Sequence, residues 1–221
     1  MSSTAPTAVT VLGSGRVATA LAGGLARAGH QVTVGTRSPA RAAAAWTGAP
    51  VGFAEPEQAV RGASVVVNAT PGDTSLERLG ALGGALRGTV LVDVANATVR
   101  GGDGTPGGLL YPGDSLAERL QQALPATRVV KTLNTMASTV MTDPRSLAVP
   151  PTAFLSGDDP DAKALVGGLL ADLGWPADWI EDLGGIATAR GPEALMLLVP
   201  SIMRNRGPQP FALAVAGPAP R

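Results

Sequence analysis

At 221 residues the chain has room for one large domain, or for an ordinary domain with a smaller appendage. Its 17 basic and 17 acidic residues cancel and only 15% of positions are charged, so the sequence offers no basic face for nucleic acid or an anionic membrane, and a small-molecule ligand is the default. Cysteine is absent, which excludes disulfides, thiolate metal sites and a thiol nucleophile, and no apolar run is long enough to span a bilayer.

Met1 to Pro6 carry no basic group ahead of an apolar stretch, so no secretory leader is expected and the cytoplasm is the expected compartment. Ala8 to Leu12 is a short β-branched run ending at a glycine turn, and Val17, Leu21 and Leu25 then recur at helical spacing up to Ala28. Gly29 closes that helix, and a second strand follows from Gln31 to Val34. Ser38 is the expected N-cap of the next helix, with Pro39 in its first turn and Trp46 near its end. A weak strand at Val51 to Phe53 and a short helix from Glu55 to Arg61 precede Ser64 to Ala69, whose consecutive valines fit a parallel strand covered on both faces. A helix from Asp73 to Leu86 and a strand from Thr89 to Val94 continue the alternation, which predicts a doubly wound parallel α/β sheet of the Rossmann type.

The glycine-rich stretch from Arg100 to Gly113 is expected to be a mobile loop. A helix through Leu124 and a strand from Arg128 to Leu133 end a first domain, 1–133, leaving 134–221 as a small C-terminal α+β domain over the cleft. There the pattern predicts a strand at Thr152 to Leu155, a helix from Pro160 to Leu173, and a longer one from Ile186 to Met203 that Pro200 kinks or ends. A terminal strand at Phe211 to Val215 precedes a tail, 217–221, with the look of disorder. The arginine-biased basic residues (Lys131 and Lys163 are the two lysines) and the wealth of glycine and proline fit a high-GC bacterial coding bias.

The first turn carries the clearest chemistry. Gly13-Ser14-Gly15-Arg16-Val17-Ala18 follows a strand and opens a helix, the setting in which Gly13 permits the turn, Gly15 lets backbone approach a pyrophosphate, and Ala18 allows close packing. The end of the second strand decides between dinucleotides. An acid there would bind a ribose diol, but the chain reads Thr36-Arg37-Ser38, and Arg37 with two flanking hydroxyls suits the extra phosphate of NADP. Arg16 either faces a phosphate or is a solvated side chain. Ala69-Thr70-Pro71 and Asn96 sit at the carboxyl ends of later strands, where they either bracket the cofactor or serve as turn residues.

Acid–base chemistry is sparse. The single histidine, His30, lies at the rim opposite the strand ends and reads as structural; Lys131 either reaches a substrate or supports the local backbone. With no histidine near a nucleophile, a serine triad is excluded, and no metal-ligand cluster is visible, so no catalytic residue is assigned. What remains is hydride transfer by positioning two partners face to face.

From Thr7 to Val215 the chain resembles the NADP oxidoreductases that depend on the deazaflavin coenzyme F-420. The likeness lies in Val11 to Val17, Gly35-Thr36-Arg37, Asp93-Val94-Ala95-Asn96, Val130 to Thr135, Phe154 to Asp159, Leu173 to Pro176, Asp182-Leu183-Gly184 and Ala189-Arg190-Gly191. The resemblance implies a homodimer in which a small C-terminal domain closes over NADP and coenzyme F-420 stacks on the nicotinamide, bordered by Asn134, Thr135 and Met196. Departures from the family pattern at Gly185, Arg204-Asn205-Arg206 and Phe211-Ala212-Leu213 cluster where that second ligand is expected. Two alternatives stay open: an NADPH-dependent reductase of a small imine, ketone or alkene in a biosynthetic pathway, and a non-catalytic NADP-binding sensor.

Overall fold

The structure, a computed structural model, describes residues 6–101 and 105–217. Residues 1–5, the centre of the glycine-rich stretch at 102–104 and the last four residues of the tail lie outside the described residues, and so do the expectations attached to them.

Strand β1 (Ala8–Leu12) buries Val9, Val11 and Leu12 in succession, as a strand covered on both faces must. Helix α1 (Arg16–Arg27) lays Ala18, Leu21, Ala22 and Leu25 against it. The helix stops in a Schellman arrangement: His30 N–H donates to Leu25 O and Gly29 N–H to Ala26 O, with Gly29 at φ +96°. The chain continues through β2 (Gln31–Gly35), α2 (Pro39–Ala44), β3 (Gly52–Ala54), α3 (Pro56–Val60) and β4 (Val65–Asn68). Ser38 makes no side-chain cap on α2, contrary to expectation. Helix α4 (Gly72–Ala81) ends short of Leu86 because Gly80, Gly83 and Gly84 favour turns over helix, yet Leu79 and Leu86 are both fully buried.

Next come β5 (Val90–Asp93), β6 (Thr98–Arg100), β7 (Pro106–Leu109), α5 (Leu116–Ala123) and β8 (Arg128–Lys131). Strands β6 and β7 pair antiparallel, so the expected loop over 100–113 holds part of a small two-stranded sheet. Its cause is local: Thr98 and Val99 are β-branched, and Leu110 N–H donates to Ala97 O to carry the pairing forward. The main sheet is six-stranded and parallel throughout, in the order β3-β2-β1-β4-β5-β8. The chain reverses direction across the sheet between β1 and β4, which opens a crevice at their carboxyl ends.

Beyond β8, strand β9 (Ala153–Leu155), helix α6 (Pro160–Asp172) and strand β10 (Ile180–Asp182) form a parallel βαβ unit; β10, only three residues long, was not expected from the sequence. Val166, Leu169, Leu170 and Trp175 join Leu21 and Leu25 in one core on this face, and Leu79, Leu86, Leu116 and Leu120 fill the other. The helix expected over 186–203 is broken into α7 (Arg190–Ala194) and α8 (Val199–Arg206), with 3-10 turns at Ile186–Ala189 and Leu195–Leu198. Pro200 stands in the first turn of α8, where its missing N–H costs nothing, so it starts a helix rather than ending one. Phe211 to Val215 is not a ladder strand; it touches Met136 through a single bridge at Ala212.

Candidate functional site

The glycine turn ties three strand ends together. Gly13 N–H donates to Gly35 O at 2.9 Å, its φ is +119°, and a Cβ there would meet Ala69 O at 2.6 Å, so only glycine fits. Gly15 differs: its missing Cβ would meet nothing within 4 Å, leaving open space over the start of α1, where no side chain caps the helix. The first amides of a 12-residue helix are therefore turned toward an approachable hollow, with Ser14, Arg16 and Val17 around it.

At the end of β2, Thr36 is buried and its hydroxyl accepts from Ser38 N–H at 3.4 Å, while Arg37 and Ser38 are exposed. Arg37 stands between two hollows. One, of about 640 Å³, runs along Gly13, Gly15, Thr36, Pro71 and Arg78. The other, of about 710 Å³, is walled by Arg27, Arg41, Trp46 and Phe53. Among the described residues no carboxylate pairs with Arg37 or Arg41, so both guanidinium groups are available to an anion. Arg41 and Arg78 escaped the sequence reading. Arg41 was within reach, one helical turn beyond Arg37 on α2; Arg78 had no signal, since only the fold brings it there, with its Nε donating to Thr74 Oγ1 at 2.9 Å.

The hollow continues along the rim into a third pocket of about 540 Å³, which brings Ala69, Thr70, Asn96, Asn134, Thr135 and Met196 together. Thr70 has a turn role here: its hydroxyl donates to Asn68 Oδ1 at 2.7 Å, and its N–H to the same oxygen at 3.2 Å. Asn96 donates to Asn134 O, and Asn134 Nδ2 donates back to Asn96 Oδ1, each at 2.8 Å. The preceding residue, Leu133, is held at φ +58°, a costly conformation for a leucine and one that marks this loop as over-determined by its surroundings. Gly72 explains another contact: a Cβ there would lie 2.1 Å from Asn96 O. All four methionines after Met1, namely Met136, Met141, Met196 and Met203, line this pocket, and among the described residues Arg16 is its sole ionisable one.

Lys131 does not reach the pocket. Its side chain is 1% exposed and its Nζ donates to Asp93 Oδ2 at 2.8 Å, to Glu193 Oε1 at 2.9 Å and to Ala95 O. Burial pulls its pKa down, but the two neighbouring carboxylates outweigh that and leave it raised, so the ammonium stays charged. This is the backbone-supporting alternative, with Glu193 an unforeseen partner. His30 lies at the far rim, taking Thr7 N–H on Nδ1 at 3.3 Å, with Nε2 3.2 Å from Asp172.

An uncapped helix start, a glycine without side chain over open space, and unpaired arginines beyond it are what a phosphorylated dinucleotide requires, and the residues fit one. Among the described residues no cluster of three or more potential metal ligands occurs, and no helix is long and apolar enough to cross a membrane.

Comparison with known proteins agrees. The family described as NADP oxidoreductase, coenzyme F-420-dependent, matches residues 8–97. The solved structure of a candidate F-420-dependent NADP-reductase from Arthrobacter sp. FB24 is 38% identical, with a TM-score of 0.85 over 96% of this chain and 100% of that one. The metalloreductase STEAP3 of Rattus norvegicus is 33% identical over 196 residues, 87% of this chain; the chain spans 37% of the length of that protein. An imine reductase from Streptomyces aurantiacus, 21% identical with a TM-score of 0.60 over 89% of this chain and 61% of that one, shares the fold.

Proposed function

Because the chain belongs to the coenzyme F-420-dependent NADP oxidoreductases, we propose that it passes a hydride between NADPH and the deazaflavin itself. An NADP-dependent oxidoreductase is an enzyme, which leaves the sensor alternative without support.

When bound, NADPH supplies the hydride. In this reading Gly13, Ser14, Gly15 and the amides of Arg16 and Val17 hold the pyrophosphate, while Thr36, Arg37 and Ser38 take the adenosine phosphate. Ala69, Thr70, Pro71 and Asn96 line the path toward the nicotinamide, and Asn134, Thr135 and Met196 border the second ligand.

The observation that carries the choice of acceptor is the chemistry of the 540 Å³ pocket. Reducing a ketone or imine places negative charge on oxygen or nitrogen, and enzymes meet it with a positioned proton donor. Here the described lining is methionine, valine, alanine, proline and phenylalanine, with asparagine, threonine, serine and glutamine the other polar groups beside Arg16. A guanidinium does not give up its proton in proteins. A flat, delocalised deazaflavin takes the hydride on a ring carbon and spreads the resulting charge over ring nitrogens and carbonyl oxygens, where solvent can supply the proton without a positioned donor, and polarizable, unbranched methionines pack well on such a ring. That combination supports a deazaflavin over a small carbonyl or imine.

The division of the chain at 133 and 134, a homodimer and residence in the cytoplasm belong to the same proposal; for the dimer, support comes from Leu197 and Leu198, which are 46% and 47% exposed. The test is NADPH oxidation with oxidised deazaflavin against a panel of ketones, imines and activated alkenes. Rapid turnover with the deazaflavin alone is expected; turnover on the panel with none on deazaflavin would replace this reading by the alternative.

A further inference from the structure

The Asp93, Lys131 and Glu193 cluster is buried, charged and absent from the chemistry above, yet it touches both halves of the site. On one side, Asp93 Oδ1 accepts from Asn68 Nδ2 at 2.8 Å and from Ala95 N–H at 3.2 Å, so it fixes the turn that presents Asn96. Asn68 in turn holds Thr70. On the other side, Glu193 accepts from Leu116 N–H at 2.9 Å and Ala117 N–H at 3.3 Å, which clamps α7 to the start of α5. Met196 of the pocket wall follows three residues later on the same chain. Lys131 stands between the carboxylates and also holds Ala95 O, the residue next to Asn96.

Replacing the ammonium by an apolar group would leave two buried carboxylates facing each other, so the three groups keep their places together. The region beyond α7 is lightly held: from Ala194 to Gly217 no residue is buried, and its other ties are Leu195–Leu198 against β7 and backbone hydrogen bonds at 211–215. The docking of α7, three residues before Met196, therefore helps to set where that wall stands.

We infer that Lys131 is a positioning residue, which through Asp93 and Glu193 couples the cofactor rim at Thr70 and Asn96 to the pocket wall at Met196. This rests on the reading of that rim as cofactor-facing, though not on the identity of the hydride acceptor. A second connection, from Asn134 through Thr135 O to Leu213 N–H, reaches the tail after α8, and Arg190 also ties α7 to Glu118 of α5; neither passes through the Lys131 ammonium, and both stay intact in Glu193→Gln.

The experiment is amide hydrogen exchange with and without NADPH in the wild type, Glu193→Gln, Lys131→Met and Lys131→Arg. In the wild type NADPH should slow exchange both at 95–97 and in 191–197. Glutamine keeps an acceptor for the α5 amides while losing the charge toward Lys131, so Glu193→Gln is the variant that tests coupling if Lys131→Met does not fold. It should bind NADPH within about threefold of the wild type and still protect 95–97, with the protection of 191–197 lost and the acceptor KM raised at least about fivefold at little change in kcat. Lys131→Arg should restore part of it. Undiminished protection of 191–197 in Glu193→Gln, or none there in the wild type, would overturn the inference. If instead NADPH protects neither segment in any protein, the cofactor reading of the rim fails, and this inference fails with it; wild-type turnover confined to other acceptors would fault the deazaflavin reading alone.

Discussion

Asn96 and Asn134 hold each other by two hydrogen bonds of 2.8 Å, one to a side chain and one to a backbone carbonyl, across the mouth of the pocket where the two ligands would meet. Asn134 is almost fully buried and follows the left-handed Leu133, so the pair fixes a loop that would relax without it. Asn96→Ala should leave Asn134 Nδ2 without its partner, cost about 1–3 kcal/mol of stability, and lower kcat/KM for the acceptor roughly tenfold or more. Thermal unfolding and steady-state kinetics together check this; unchanged kinetics would make the pair a packing feature only.

Arg37→Ala should weaken NADPH by about 2 kcal/mol, roughly thirtyfold, with NADH little affected, because the lost contact is to a phosphate that NADH lacks. Titration of both nucleotides tests it, and equal losses would sink the assignment. Arg41→Ala, in the adjoining hollow, provides a graded comparison and should give a smaller loss of the same sign.

His30→Ala should leave turnover unchanged while costing about 1 kcal/mol, since the His30 imidazole meets the Thr7 N–H and the Asp172 carboxylate at the rim away from the cleft. A large rate loss in a folded variant would mean that acid–base chemistry has been misplaced.

Glu118 accepts from Arg190 Nη2 at 2.6 Å and Nε at 2.8 Å, tying α7 to α5 from outside. The Arg190 hydrogen bond, working against burial and helped by Ser115, lowers the Glu118 pKa below the usual carboxylate value of 4.5. A carboxyl depressed in the folded state stabilises above its unfolded pKa and loses that contribution as pH falls through the folded value. Stability should therefore fall below about pH 4.5, and Glu118→Gln should show a shallower acid dependence in thermal unfolding between pH 3 and 6. Equal slopes would dismiss the linkage.

The nucleotide half of the fold was legible because its rules are local. The run of Ala8 to Leu12, the turn at Gly13 and the recurrence of Val17, Leu21 and Leu25 each follow from neighbours in sequence, and Arg37 sits at a fixed distance from them. The second half was less so. A repeating apolar pattern over 186–203 looks like one helix, while Gly191, Pro192 and Pro200 and the docking of Glu193 on α5 divide it. Lys131 reads as ambiguous in sequence because Glu193, which resolves it, is brought there only by the fold. Strand β10 is too short to announce itself, and β6 with β7 is hidden by glycines that a hairpin tolerates as well as a loop does.

If the acceptor is a deazaflavin, hydride moves directly from NADPH to its ring, in a pocket whose described lining has Arg16 as its one ionisable side chain. Single-turnover reaction of NADPH deuterated at nicotinamide C4, on the transferred face, tests it most directly. Deuterium should appear on the reduced deazaflavin ring without exchange into solvent. Washout of the label, or its retention in NADPH while a ketone or imine is reduced by the same protein, would contradict the account.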